Sequence, residues 1–166
     1  MTELEENKEV RVGIADAAVV YSPDKLITMG LGSCIGIALY DSGKKIGGLV
    51  HIMLPDSTQF KNIVNPLKYA DLGVEELLKK MINVGCRKTS ITAKIAGGAS
   101  MFNFPDKKIS SDIGRRNSEA VIEVIKKLSI PLLAEDVGGN KGRTMIFDSK
   151  DGRVTIKSIG SDLKEL

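Results

Sequence analysis

Cys34-Ile35-Gly36-Ile37-Ala38-Leu39-Tyr40-Asp41-Ser42-Gly43-Lys44-Lys45-Ile46-Gly47-Gly48-Leu49-Val50-His51 is the stretch that decides the fold. Two apolar runs flank a polar Asp-Ser-Gly-Lys, the pattern of an antiparallel hairpin. With Ser42-Gly43 as a two-residue loop, Asp41 pairs with Lys44. Ile35 then faces Val50, Ile37 faces Gly48, and Leu39 faces Ile46, giving one consistent apolar face. On the other face Gly36 meets Leu49, Ala38 meets Gly47, and Cys34 meets His51. Directly opposed residues hold their Cβ atoms about 4.5–5.5 Å apart, so this register sets the histidine beside a cysteine. The inference depends on the loop, because a one-residue slip turns every side chain to the opposite face.

That pairing gains weight from scarcity. The chain has 166 residues, with one histidine, two cysteines and no tryptophan. A single histidine excludes zinc sites built on several imidazoles, and cysteines at 34 and 86 exclude a Cys₄ site or a disulfide framework. Any imidazole chemistry must rest on His51. The net charge is +3, with the positive charge scattered. Neither a basic stripe nor stacking aromatics mark a nucleic-acid binder. No apolar run approaches the roughly 20 residues of a membrane helix, and the acidic, polar N-terminus is not a signal peptide. The expectation is a cytoplasmic protein with reduced thiols.

Outward from the hairpin, residues 1–9 read as a disordered acidic tail and residues 10–166 as a single domain. Val10 to Val20 reads as an interrupted strand, and Leu26-Ile27-Thr28 as a short one running into Gly30-Leu31-Gly32-Ser33-Cys34. Asn65 as N-cap and Pro66 at the first helical position open a helix through Leu67, Ala70, Val74, Leu77, Leu78 and Met81. Gly85 is its stop. Thr89 to Ala96 is a strand ending in Gly97-Gly98-Ala99-Ser100, and residues 101–113 read as an exposed loop. A second helix covers about Arg115 to Leu128. Pro131 to Val137 and a closing hairpin, Thr144–Phe147 with Arg153–Ile159, complete the chain. Two helices among seven or eight strands, many in hairpins, predict an α/β fold of the α+β kind. Its mixed, largely antiparallel sheet carries the helices on one face.

A cysteine beside a histidine is the minimal nucleophile–base pair. A free thiol is only slightly ionised near neutral pH, and an adjacent imidazole can take its proton and hold the thiolate as an ion pair. Thr28 lies an even offset before Cys34 and can hydrogen-bond the imidazole from the adjacent strand end. Gly30 and Gly32 leave the amides around Ser33 and Cys34 free to approach a substrate carbonyl as an oxyanion hole. Gly97, Gly98 and Ser100 are placed at the rim and join Gly32 and Ser33 as candidate substrate-binding residues. Taken singly, such a cysteine is more often a small buried hydrophobe and such a histidine a satisfied core residue. Cys86, with no histidine left to pair, is structural. Gly30 to Gly36 misses the dinucleotide fingerprint by one residue, and no long helix follows it.

Thr28-Met29-Gly30-Leu31-Gly32-Ser33-Cys34 and His51-Ile52-Met53-Leu54-Pro55 strongly resemble the chemoreceptor glutamine deamidase family CheD. Lys68-Tyr69-Ala70-Asp71, Ala93 to Phe102, Ile113-Gly114-Arg115-Arg116-Asn117, Ala134 to Asn140 and Arg143 extend the likeness across about residues 11 to 157. The resemblance implies a three-layer α/β/β sandwich. It implies a protein-glutamine glutaminase that converts glutamines of methyl-accepting chemotaxis receptors to glutamate and releases ammonia. It assigns Cys34 as nucleophile, His51 as base and Thr28 as the support of the histidine, with no metal or cofactor needed. It also implies binding to, and stimulation of, the CheY-phosphate phosphatase CheC, as a monomer or a heterodimer with CheC. A non-catalytic chemotaxis module binding CheC and receptors is the alternative. A cysteine redox protein is a third reading, weakened by the lack of a resolving cysteine near Cys34.

Overall fold

In the computed structural model the described residues are 7–100 and 112–166. Their strands are β1 (Glu9–Arg11), β2 (Ala17–Tyr21), β3 (Lys25–Leu31), β4 (Ile35–Asp41), β5 (Ile46–Ile52), β6 (Ile91–Gly97), β7 (Leu132–Val137), β8 (Arg143–Asp148), β9 (Val154–Ser158) and β10 (Lys164–Glu165). The helices are α1 (Ala70–Asn83) and α2 (Ile113–Lys127).

β4 and β5 are buried at every position. A strand pair can be so only when packed layers cover both faces. Ile35, Ile37, Leu39, Ile46, Val50 and Ile52 point to a core shared with Val74, Leu77 and Met81 of α1 and Val121 and Ile125 of α2. The alternate residues Ala38, Tyr40 and Leu49 point to a second core with Leu26, Leu31, Met145, Phe147 and Val154. The layers are therefore helices, a sheet ordered β2-β5-β4-β6-β7, and a sheet ordered β1-β3-β8-β9-β10. Most neighbours are antiparallel, and β1 with β3 and β6 with β7 are parallel. This is the α/β/β sandwich expected. Among the described residues no helix is long and apolar enough to cross a membrane.

The hairpin register differs from the sequence reading. Asp41 pairs with Ile46 rather than Lys44, and the loop is Ser42–Lys45. The cause is Asp41, whose Oδ1 accepts the amides of Gly43 at 3.0 Å and Lys44 at 3.1 Å. This side chain caps a longer turn in the way aspartate commonly does. Lys45 closes the turn at φ 52°. Ile35 consequently faces Ile52, and Gly36 faces His51. A shift of two residues preserves the face, so the division into two apolar sets survives.

Three element ends also move. Asn65 does cap through its side chain, accepting Leu67 N–H at 3.0 Å, but it caps a separate 3-10 turn, Pro66–Lys68. α1 begins only at Ala70. Glu9, expected in the tail, already pairs with Lys25. The interrupted first strand is two strands in different sheets, β1 and β2. Residues 1–6, and Met101 to Ser111 of the expected exposed loop, lie outside the described residues.

Candidate functional site

Thr28 and His51 meet in the space between the sheets, and Cys34 packs against the same inter-sheet core. His51 is fully buried. Both its backbone groups are tied to the turn before β2: Ala15 N–H donates to the His51 carbonyl at 2.8 Å, and His51 N–H donates to the Asp16 carbonyl at 3.1 Å. Its cross-strand partner is Gly36, over which Met145, Leu31 and Thr28 pack so closely that a Cβ there would lie 2.8 Å from Met145 Sδ.

Thr28 reaches the imidazole from the opposite sheet, across the sandwich, and not from an adjacent strand end. Thr28 Oγ1 lies 2.7 Å from His51 Nδ1 and donates its own proton to the Val12 carbonyl at 2.8 Å. A hydroxyl has one proton. With that proton committed to Val12, the oxygen can only accept from the ring. The tautomer is thereby set: Nδ1 carries hydrogen, and Nε2 presents a lone pair. Nε2 is buried and has no hydrogen-bond partner among the described residues.

β3 delivers Thr28 and the loop that leads to Cys34 through a bulge. Thr28 pairs with Met145 but Leu31 pairs with Arg143, so β3 carries one residue more than its partner there. Gly30, at φ 69°, takes the left-handed conformation that such a bulge uses. Thr28 and Leu31 both point inward as a result, while Met29 and Gly30 face out.

Cys34 is half-buried, packs against the inter-sheet core and forms no disulfide. It stands just before β4, diagonal to His51 rather than opposite it. Diagonal neighbours are about 7–8 Å apart at Cα, and no hydrogen bond joins thiol and imidazole. The electrostatics agree with a neutral pair. Burial pushes the thiol above its usual 9.0, and the residue's own backbone amide pulls weakly the other way. Burial also pushes His51 down from 6.5 to about 4. The resting site thus favours SH and neutral imidazole over the expected ion pair. Cys86 is buried and pushed up to about 11, chiefly by desolvation.

The candidate substrate-binding residues divide into two groups. Among the described residues no backbone carbonyl accepts from the amides of Ser33 or Cys34. Gly32 N–H, by contrast, turns back to the Gly30 carbonyl at 3.0 Å. Gly98 N–H is spent on the Cys34 carbonyl at 2.9 Å, Ala99 N–H on Gly32 at 2.8 Å, and Ser100 N–H on Gly139 at 2.9 Å. The 97–100 turn therefore backs the Gly32–Cys34 loop, and these amides are already taken by carbonyls. Contact is so close that a Cβ on Gly97 would lie 2.1 Å from the Cys34 carbonyl oxygen.

Two residues of the site enter the sequence reading only as parts of the family likeness, with no chemistry assigned to them. Arg143 is largely buried, donates to the Gly97 carbonyl at 2.7 Å and the Gly138 carbonyl at 2.5 Å, and pairs with Asp136 at 3.2 Å. It clamps the two glycine turns together. Asn117 of α2 donates to the carbonyls of Ser33 and Met53, both at 2.9 Å. Only the structure reveals that both glycine-turn and nucleophile-loop carbonyls need such donors.

A bulged loop ending at a thiol, an imidazole anchored at Nδ1 by Thr28, and a glycine turn backing that loop make up the candidate site. The family model described as CheD chemotactic sensory transduction matches residues 53–158. A protein of Clostridium botulinum (strain Hall) called probable chemoreceptor glutamine deamidase CheD is 64% identical over 159 residues, 96% of this chain and 98% of that one. A Clostridium kluyveri protein of the same name is 60% identical over 161 residues, 97% of this chain and 99% of its own. The chain belongs to the CheD family. The solved hypothetical protein YfiH of Bacillus licheniformis aligns at a TM-score of 0.44 and 15% identity, over 73% of this chain and 49% of that one, too distant to carry an argument.

Proposed function

We propose that this protein is a chemoreceptor glutamine deamidase in which Cys34 is the nucleophile, His51 the base and Thr28 a positioning residue. The observation that carries the reading is the bare, buried Nε2 of an imidazole whose other nitrogen is fixed by Thr28. The names of the relatives supply the substrate class: glutamine side chains of chemoreceptors.

His51 Nε2 removes the Cys34 proton as sulfur attacks the carboxamide carbon, so no standing thiolate is required. The amides of Ser33 and Cys34 receive the oxyanion. The imidazolium gives its proton to the leaving nitrogen, the C–N bond breaks, and ammonia departs from a thioester. Water attacks the thioester carbon while His51 takes one of its protons. The C–S bond breaks, that proton returns to sulfur, and glutamate is released. Low basicity of His51 suits the step in which it donates to nitrogen. Its neutral form at working pH suits the first step.

The reading places the protein in the cytoplasm, where receptors expose these glutamines, as a monomer or paired with the phosphatase CheC. The CheC partnership rests on family resemblance, and mixing the two purified proteins on a sizing column tests it: two unshifted peaks reject it. Deamidation itself is tested by incubation with the cytoplasmic part of a cognate receptor and peptide mass analysis. A gain of one mass unit at particular glutamines supports the reading, and unchanged peptides reject it.

A further inference from the structure

Asn117 is fully buried on α2, on the helix-facing side of the sheet that carries the nucleophile loop and His51. Its two amide hydrogens are both used. One goes to the carbonyl of Ser33 and the other to the carbonyl of Met53, each at 2.9 Å. Because both neighbours are acceptors, the orientation of the amide is fixed. Its Oδ1, equally buried, has no partner among the described residues. A buried acceptor left unmet is costly, and such exceptions call for an explanation in function.

Resting on the Cys–His reading above, we infer that Asn117 is a positioning residue that aims the Cys34 amide at the oxyanion. The Ser33 carbonyl and the Cys34 N–H belong to one peptide unit. That unit is planar and trans, so its C=O and N–H point in opposite directions. Anchoring the carbonyl into α2 directs the N–H away from the helix, and among the described residues no backbone carbonyl accepts from it. The same hydrogen bond polarises the peptide and strengthens its N–H as a donor. The second bond, to Met53, ties this peptide to the chain two residues after His51. Donor and base are thus held in register by one side chain that touches neither substrate nor sulfur.

Two reactions of Cys34 separate this role from general support of the fold. Alkylation by iodoacetamide needs the thiol and its base but builds no oxyanion. Deamidation needs both. In Asn117→Ala, kcat for deamidation should fall about 100-fold or more, with KM held and Cys34 alkylation within about twofold of wild type. Equal loss in both reactions, or no loss in kcat, overturns the inference. Asn117→Asp keeps the shape and decides the matter if the alanine variant does not fold. Its carboxyl lies against two carbonyl oxygens, which favour the protonated form with one remaining donor. Deamidation by Asn117→Asp should then decline as pH rises through neutrality while wild type does not, and a wild-type pH profile overturns the inference. Cys34→Ala serves as the reference. If it still deamidates, the Cys–His reading itself fails. If it is inactive while Asn117→Ala runs at the wild-type rate, only the role of Asn117 fails.

Discussion

Thr28 and His51 face each other from different sheets, and the 2.7 Å contact between Oγ1 and Nδ1 is the polar link that sets the state of the imidazole. Thr28 Oγ1–H donates its hydrogen bond to the Val12 carbonyl, so the hydroxyl can serve His51 only as an acceptor. Thr28→Ser keeps this geometry and should keep most activity. Thr28→Ala frees the tautomer and the ring. It should lower kcat/KM on the order of tenfold to a hundredfold, as for other groups that orient an imidazole, and less than Cys34→Ala or His51→Ala. Initial rates of ammonia release measure this. Equal rates in Thr28→Ala and wild type would remove Thr28 from the mechanism.

With His51 as the proposed base, its burial gives deamidation a signed pH dependence, because the active form is neutral and burial moves its pKa from 6.5 down to about 4. The acid limb of kcat/KM should therefore lie well below pH 6.5. A thiol held above 9.0 extends the plateau on the alkaline side. An acid limb centred near 6.5 would show that the imidazole titrates as an exposed one does, and would contradict the effect of burial.

Stability follows the same shift. The folded state disfavours the protonated ring, so the contribution of His51 is complete above pH 6.5 and is lost as pH falls toward 4. The linkage amounts to about 2 kcal/mol between pH 7 and pH 5. Urea unfolding of wild type and His51→Gln at both pH values isolates it, because the other titrating groups cancel in the difference. The variant should lose less stability on acidification than wild type.

The period-two pattern of β4 and β5 sets Cys34 and His51 on one face of the hairpin, and the longer loop keeps that face because it shifts the register by an even number of residues. The loop length is not legible in an Asp-Ser-Gly-Lys string, since it depends on Asp41 capping two successive amides. Thr28 reaches His51 across the sandwich and not from an adjacent strand end. Alternation within a strand says nothing of contacts across a sandwich. Asn117 and Arg143 act on backbone carbonyls, and which carbonyls lack partners is decided only when the layers close.

Gly97 illustrates the tightness of the backing turn. It sits at φ 121°, with no room for a Cβ against the Cys34 carbonyl. Gly97→Ala should destabilise the fold by more than about 2 kcal/mol and shift the nucleophile loop. Urea midpoints should drop and deamidation should be lost together. A variant of wild-type stability and activity would mean the loop has slack that this contact denies.

The two cysteines should separate cleanly. Cys34 is half-buried, whereas Cys86 is buried in the α1-facing core with its thiol pushed up to about 11. Iodoacetamide should label Cys34 first, and Cys86→Ala should leave deamidation unchanged at a cost of about 1 kcal/mol in stability. Preferential labelling of Cys86 would contradict the burial difference.

The most direct test of the central claim compares wild type with Cys34→Ala on the cytoplasmic part of a cognate receptor, read by peptide mass. The account predicts a one-mass-unit gain at specific glutamines with wild type and none with Cys34→Ala. Equal deamidation by both proteins would contradict it.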